Sequence, residues 1–168
     1  MISTINAPGL HVTSPNPFLV QKLARLAVDN GDQYLILEVT SHAIDQYRFW
    51  GVAFEVVVIT NITHEHLDYH KTLQNYKNTK LKLLKNVKFA VVNDNIVPYV
   101  TVSAHNGSRT IVTFGLEKGD FNQKETKLKL KILGNYNIEN ALCALAVSNV
   151  LGIDSGQARM TLGSFRNL

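Results

Sequence analysis

Cysteine is almost absent from this sequence, and long apolar runs are missing altogether. The one cysteine, Cys143, cannot form an internal disulfide, and its apolar neighbours indicate a small buried side chain. Uncharged apolar runs such as residues 56–60 are far shorter than the roughly 20 residues that a membrane-spanning helix needs. The first residues also lack the basic and then apolar pattern of a signal peptide. We therefore expect a cytoplasmic protein with no membrane partner.

Repeats, low-complexity segments and linker-like runs are absent as well, so we expect residues 1–168 to form a single domain. The 45% hydrophobic and 18% charged residues are ordinary for a globular protein, which argues against disorder. Six lysines and no acidic residue occur from Lys71 to Lys88. Aromatic residues do not alternate with them, so a solvated helix face is favoured over a nucleic-acid partner.

Strand-like and helix-like patterns alternate along the chain. Amphipathic patterns with capping residues predict helices at residues 17–31, 72–85 and 137–151. Apolar runs predict strands at residues 34–39, 54–60 and 89–92, and the second run is typical of a strand covered on both faces. Shorter strands at residues 109–114 and 127–132 predict a small peripheral antiparallel piece. The predicted fold class is α/β, a mostly parallel sheet flanked by helices.

In such a sheet, ligands bind outside the carboxyl ends of the strands. Glu38 closes one predicted strand, and Thr60 and Asn61 follow the next. We therefore expect them to converge on one site. An acid that closes an apolar strand is a usual position for a residue that holds Mg²⁺ beside a nucleotide phosphate. A solvated acid at a strand end explains Glu38 equally well when it is considered alone.

The segment "ITNITHEHLDYH" concentrates three histidines directly after an apolar run. The spacing of His64, His66 and Asp68 is close to the zinc-ligand loop of hydrolases with the metallo-β-lactamase fold. One additional residue separates Asp68 from His70, so the match to that loop fails by one position. A zinc-dependent hydrolase is therefore an alternative that the rest of the sequence has to support.

Lys80 lies on the apolar side of its predicted helix. The apolar stripe on the helical wheel consists of Leu73, Tyr76, Leu83 and Leu84. A lysine in this stripe must either extend its ammonium group to solvent or lose its charge, because burial disfavours the ammonium form. A neutral amine can react with carbon dioxide to form a carbamate, which is an oxygen ligand. The wheel alone favours the extended ammonium.

Several blocks of the sequence together resemble one known family. Four blocks are similar to segments of the central domain of the Mur ligases: "LEVTSHAIDQYR", "TNITHEHLDYH", "GNYNIENALCALAV" and "VTSPNP". As in that family, a lysine shortly after a tyrosine follows the second block. The similarity is greatest to the UDP-N-acetylmuramoyl-tripeptide synthetases, which add the third residue of the peptidoglycan stem peptide. The blocks occur in the family's order and extend from residue 2 to about residue 151.

The resemblance implies a site for Mg²⁺ and ATP. Glu38 and His66 would help to hold the metal, and Lys80 would be the catalytic, carbamylated lysine that also serves as a metal ligand. Asn137 matches an asparagine near the adenine of ATP. In this interpretation only His66 of the histidine loop is a ligand, and His64 and His70 are structural.

The resemblance also implies the substrates, a UDP-N-acetylmuramoyl-peptide and an amino acid. A carboxylate of the first would attack the γ-phosphate of ATP, and the amine of the second would displace phosphate from the acyl phosphate. Arg48 suits a phosphate or carboxylate because its guanidinium binds two oxygens at once. The implied substrate-binding residues are Thr13, Ser14, Thr40, Gln46 and Arg48.

The sequence departs from the family in ways that affect its activity. The phosphate-binding motif G-x-x-x-x-G-K-[ST] does not occur in it. Glu65 stands where the family has an aspartate, and Ser14 stands where it has a threonine. We therefore expect the chain alone to be inactive as a ligase. The alternative is a non-catalytic module that binds the muramoyl peptide.

Overall fold

The structure, a computed structural model, describes residues 14–63, 67–100 and 110–166. The chain divides into two compact units. The described part of the first comprises residues 14–53 and 67–83, and that of the second comprises residues 54–63, 84–100 and 110–166. The assignment of residues 1–168 to a single domain stays a prediction.

The described residues of the first unit form helices joined by irregular segments. Its helices are α1 (Pro17–Asp29), α2 (Ser41–Asp45), α3 (Leu67–His70) and α4 (Leu73–Leu81), and a 3-10 turn at Lys82–Leu84 follows α4. The Asn16 side chain caps α1 by accepting a hydrogen bond from the Leu19 backbone N–H at 2.9 Å. The chain leaves this helix through Gly31, whose φ of 74° suits a residue without a β-carbon. The predicted start and end of α1 are thus confirmed.

The strand predicted at residues 34–39 is wrong. Tyr34 makes an isolated bridge, residues 35–40 have no regular secondary structure, and Ile36 is 75% exposed. A strand exists only where a neighbouring backbone pairs with it along its length, and an apolar run does not supply that neighbour. Glu38 therefore does not lie at the end of a strand.

The second unit contains a four-stranded sheet in the order β1-β2-β3-β4, and every pairing in it is parallel. The strands are β1 (Val56–Ile59), β2 (Phe89–Asn93), β3 (Thr110–Gly115) and β4 (Phe121–Asn122). A 3-10 turn at Asp94–Ile96 precedes α5, and the helices are α5 (Val97–Val100), α6 (Gln123–Thr126), α7 (Asn135–Val150) and α8 (Ser155–Ser164). The α/β class and the mostly parallel sheet are confirmed.

Several details of the predicted sheet and helices differ from the structure. Residues 110–115 form β3 inside the parallel sheet rather than an antiparallel piece, because they pair with the central strand β2. Residues 127–132 form no strand, since the chain turns at Lys127 with a φ of 48°. Strand β1 is buried on the face of Val57 and Ile59 and partly covered on the other, where Val56 packs against the core but Val58 is 38% exposed. Helix α8 was not predicted, although Asp154 caps its first turn.

The core of the second unit lies between the sheet and α7. Helix α7 packs against β2, β3 and β4. The fully buried centre consists of Val91, Phe114, Leu142, Cys143 and Ala146. Burial raises the pKa of the Cys143 thiol from 9.0 to about 12, because the thiolate would lose its hydration there. Within the described ranges, no helix combines the length and apolar character needed to cross a membrane.

The buried thiol gives a test of this core. The thiolate is the form that attacks thiol reagents, so we expect Cys143 to react slowly at about pH 8 in the native protein and rapidly after unfolding in guanidinium chloride. Folding favours the neutral thiol, and its contribution to stability is therefore complete below the ordinary pKa of 9.0 and is lost as the pH rises towards about 12. Equally rapid labelling of native and unfolded protein would contradict the burial of this side chain.

Candidate functional site

Helix α2 is a single turn that is capped at both ends. At its start, the Thr40 hydroxyl accepts a hydrogen bond from the Ala43 backbone N–H at 3.2 Å. At its end, the backbone N–H of Tyr47 donates to the Ile44 carbonyl at 3.1 Å and that of Arg48 to the Ala43 carbonyl at 2.9 Å. This pair of bonds is the Schellman motif. The caps fix the backbone positions of Thr40 and Arg48 relative to each other.

Tyr47 occupies the left-handed position of this motif, with a φ of 53°. Glycine is the usual residue there, and a residue with a β-carbon costs roughly 1–2 kcal/mol in that conformation. Sequence analysis missed this turn, because the glycine that would signal it is replaced by tyrosine.

Ser14 connects the start of α2 to its end. Its side chain is 1% exposed, and its hydroxyl donates to the Glu38 carbonyl at 3.2 Å and accepts from the Thr40 backbone N–H at 3.2 Å. The Ser14 hydroxyl also lies 3.3 Å from the Thr40 hydroxyl. The Ser14 carbonyl accepts a hydrogen bond of 2.6 Å from Nη1 of Arg48. One buried residue thus holds both ends of the helix.

Gln46 completes the arrangement by orienting Arg48. The exposed Gln46 side chain accepts a hydrogen bond from Nε of Arg48 through Oε1 at 2.9 Å. The half-buried guanidinium thus donates through Nε and Nη1, whereas Nη2 makes no hydrogen bond with the described residues. A guanidinium has five N–H donors, so three stay available to an anion. We call Ser14, Thr40, Gln46 and Arg48 the α2 cluster.

The α2 cluster brings together four of the five residues that the resemblance assigned to substrate binding. The fifth, Thr13, lies outside the described residues. The burial of Ser14 makes it a support for its neighbours rather than a surface that a ligand can reach. The other three residues are less buried: Thr40 and Arg48 are half-buried, and Gln46 is exposed.

Glu38 is tied to this cluster through its backbone, and its side chain is exposed. An accessible carboxylate is the type of oxygen ligand that Mg²⁺ prefers, so Glu38 fits a role in metal binding. His66 and His64 lie outside the described residues, and the assignment of His66 to the metal stays a prediction. The part of the chain that the structure describes contains no group of three or more side chains arranged to hold a metal ion.

His70 belongs to a cluster of rings in the same unit. It is 6% exposed, and its ring centroid lies 4.8 Å from that of Tyr69, 5.4 Å from that of Tyr76 and 5.6 Å from that of His42. The Tyr69 hydroxyl also donates to the Asp45 carboxylate at 3.2 Å, which connects α3 to the end of α2. These contacts agree with a structural role for His70.

Lys80 is half-buried on the inner side of α4. Its Nζ lies 4.8 Å from the centroid of the Tyr76 ring, and Tyr76 is 1% exposed. Lys80 thus lies beside Tyr76 of the predicted stripe, but α4 ends at Leu81, so Leu83 and Leu84 of that stripe belong to the 3-10 turn and the predicted helix to residue 85 is too long. The Nζ of Lys80 is therefore placed against an aromatic ring of the first unit.

Asn137 lies in the second unit, in the first turn of α7. Its Nδ2 donates to the Leu133 carbonyl at 2.6 Å, which holds the loop before the helix. Asn140 is exposed one turn later. The structure therefore places Asn137 at a helix start, where it serves at least a structural role.

The hydrogen bonds of Ser14 give a test of the α2 cluster. Ser14→Ala leaves the Thr40 N–H and the Glu38 carbonyl without this partner. We expect the free energy of unfolding of the first unit to fall by about 1–3 kcal/mol. Amide hydrogen exchange of the α2 residues in increasing urea measures this change.

Gln33→Ala is the control for this test, because it also truncates a polar side chain of the first unit, at an exposed position. It should change the free energy of unfolding by less than about 0.5 kcal/mol. Equal effects of the two substitutions would contradict the supporting role of Ser14.

Comparisons with known proteins agree on one relationship. The chain is 35% identical over 164 residues to the UDP-N-acetylmuramoyl-L-alanyl-D-glutamate–2,6-diaminopimelate ligase of Clostridium botulinum, an alignment that covers 85% of this chain and 33% of that protein. It is 33% identical to the UDP-N-acetylmuramyl-tripeptide synthetase of Deinococcus radiodurans over an alignment of 181 positions, which covers 94% of this chain and 36% of that protein. The chain thus spans about a third of the length of these relatives.

A family description covers most of the chain in addition to these single relatives. Residues 1–148 match the family described as "Mur ligase middle domain". This range includes Ser14, the whole of α2, the histidine loop and most of α7. The chain therefore belongs to the Mur ligase middle domain family.

Proposed function

We propose that this chain acts in the ATP-dependent ligation of an amino acid to a UDP-N-acetylmuramoyl-peptide, and that the α2 cluster binds the muramoyl peptide. The observation that carries the proposal is the geometry of the α2 cluster. Ser14 bonds to Thr40 and Arg48 and so fixes their positions. Polar groups of Thr40, Gln46 and Arg48 would then contact the ligand. The names of the relatives supply the substrate, which contains phosphates and carboxylates.

Arg48 has the central role in the proposed binding. Its guanidinium is held in one orientation by Ser14 and Gln46, so little conformational entropy is lost when an anion binds. The N–H groups that stay available match the oxygens of a phosphate or a carboxylate. Thr40 and Gln46 lie at the two ends of α2 and offer a hydroxyl and an amide to the same ligand.

The proposed reaction has two steps that release inorganic phosphate. A carboxylate oxygen of the muramoyl peptide bonds to the γ-phosphorus of ATP, and the bond from that phosphorus to the ADP oxygen breaks. The amine of the amino acid then bonds to the acyl carbon, phosphate leaves, and the amine loses a proton. Groups that stabilise negative charge on the transferred phosphoryl group are the main requirement of such catalysis.

Glu38, His66 and Lys80 are the residues that we propose hold Mg²⁺, with Asn137 near the adenine of ATP. When bound, the ion would neutralise charge on the phosphate oxygens. Glu38 supports this role with an exposed carboxylate on a backbone that Ser14 fixes. Lys80 would contribute as a carbamate: its neutral amine bonds to the carbon of carbon dioxide, and one proton is released.

Ligand binding by Arg48 tests the proposal. Isothermal titration of the chain with UDP-N-acetylmuramoyl-L-alanyl-D-glutamate should show saturable binding. Arg48→Lys keeps the charge but loses the fork, so we expect the affinity to fall by about 10-fold or more, as for the loss of one hydrogen bond to a charged group. Arg25→Lys is the matched control, since Arg25 is exposed and paired with Asp29 on α1. Absence of binding, or equal effects of both variants, would refute the assigned role.

Carbamate formation at Lys80 is tested by carbon-13 NMR of the chain in labelled bicarbonate. A carbamate signal is expected in the spectrum of the unsubstituted chain. Lys80→Ala should remove this signal, whereas Lys82→Ala should keep it, because the Lys82 side chain is exposed and lies 3.4 Å from the Asp45 carboxylate. A signal that survives in Lys80→Ala would assign the carbamate to another lysine.

A further inference from the structure

Tyr47 differs from the other non-glycine residues that have a positive φ in the described ranges. Those residues are Lys71 and Lys127, which directly follow α3 and α6, and Asn86, which comes after the 3-10 turn at Lys82–Leu84. Asparagine tolerates the left-handed conformation, and a lysine there places its charge near the negative end of a helix. Lys71 in addition donates from Nζ to the Asp68 carbonyl at 3.0 Å. Tyrosine has none of these local compensations.

The ring of Tyr47 is not compensated by burial either. It is 71% exposed, and across the described residues its side chain makes no hydrogen bond and no ring contact. A large apolar ring in solvent adds nothing to the stability of the turn. The strained backbone and the exposed ring therefore occur at a position where glycine would serve the fold better. Strained backbone conformations of this kind cluster at active sites and ligand-binding sites.

The neighbours of Tyr47 indicate which ligand this is. Gln46 and Arg48 directly flank it, and both belong to the α2 cluster. A ring beside an anchored guanidinium can cover the flat face of a ligand whose anionic group that guanidinium binds. In a UDP-sugar, the pyrophosphate connects two such rings, a pyrimidine nucleoside on one side and a sugar on the other.

We infer that Tyr47 is a ligand-contacting residue whose ring packs against a ring of the UDP-N-acetylmuramoyl-peptide next to the anion that Arg48 binds. The inference rests on the proposed function of the α2 cluster. It assigns the left-handed turn a role in presenting the Tyr47 side chain, in addition to ending α2. Compared with a chain that has glycine at position 47, this chain would then have a less stable fold and bind the ligand more tightly.

The test separates stability from affinity. Tyr47→Gly and Tyr47→Asn relieve the backbone and remove the ring, so we expect the Tm of the chain to rise by about 2–4 °C. Affinity for UDP-N-acetylmuramoyl-L-alanyl-D-glutamate should fall by about 3- to 10-fold in the same variants, the effect of losing one ring contact. Tyr47→Phe keeps the ring and should leave the affinity within about 2-fold of the original.

Lys127→Gly is the control, because it also places glycine at a left-handed position but lies in the second unit. It should leave the affinity for the muramoyl peptide unchanged. Separate titrations with UDP and with the 1-phosphorylated muramoyl peptide show which ring of the ligand Tyr47 contacts. Only the compound that contains the contacted ring should bind more weakly to Tyr47→Gly than to the original chain. Binding that is weakened by Arg48→Lys but unchanged in Tyr47→Gly would overturn the inference while the proposed function stands. Absence of any binding by the original chain would overturn both.

Discussion

Ser14 is the residue on which the candidate site depends. Its hydroxyl and carbonyl together hold the Thr40 N–H, the Glu38 carbonyl and the Arg48 guanidinium, the last of which lies 34 residues further along the chain. A buried polar group without a hydrogen bond lowers the free energy of unfolding. The conformation in which all of these groups are bonded to Ser14 is therefore favoured. A helix of five residues has little stability of its own, and these bonds with its two caps are what fix it.

This arrangement explains how a short, irregular region can present polar groups in a defined geometry. The segment from residue 35 to residue 40 makes no ladder with a sheet, yet its carbonyl at Glu38 is fixed by a side chain. Arg48 is fixed twice, through its backbone in the Schellman motif and through its guanidinium on Ser14 and Gln46. Such preorganisation lowers the entropy that a ligand has to overcome on binding.

The ring cluster of α3 and α4 is a second, differently built part of the first unit. His42, Tyr69, His70 and Tyr76 pack edge and face against one another, and Lys80 lies over the last ring. The histidine loop that resembled a zinc site thus ends in a packed histidine. His70 could be assigned to structure from the sequence only through the family resemblance, because its burial depends on tertiary packing that includes the ring of His42 on α2.

Elements with local signals could be predicted from the sequence alone. The cap at Asn16, the apolar run of β2 and the long pattern of α7 each specify their own conformation, because caps and side-chain periodicity act within one element. The order of the motifs indicated the family, and with it the candidate residues. The three-dimensional structure was needed to establish that residues 34–39 lack a strand partner, that Ser14 is buried beneath its neighbours, and that Tyr47 is held in a left-handed turn. The first two outcomes depend on hydrogen bonds and burial between segments far apart in the chain, which no local pattern encodes. The turn at Tyr47 is held by local backbone bonds, but the glycine that normally signals such a turn is absent from the sequence.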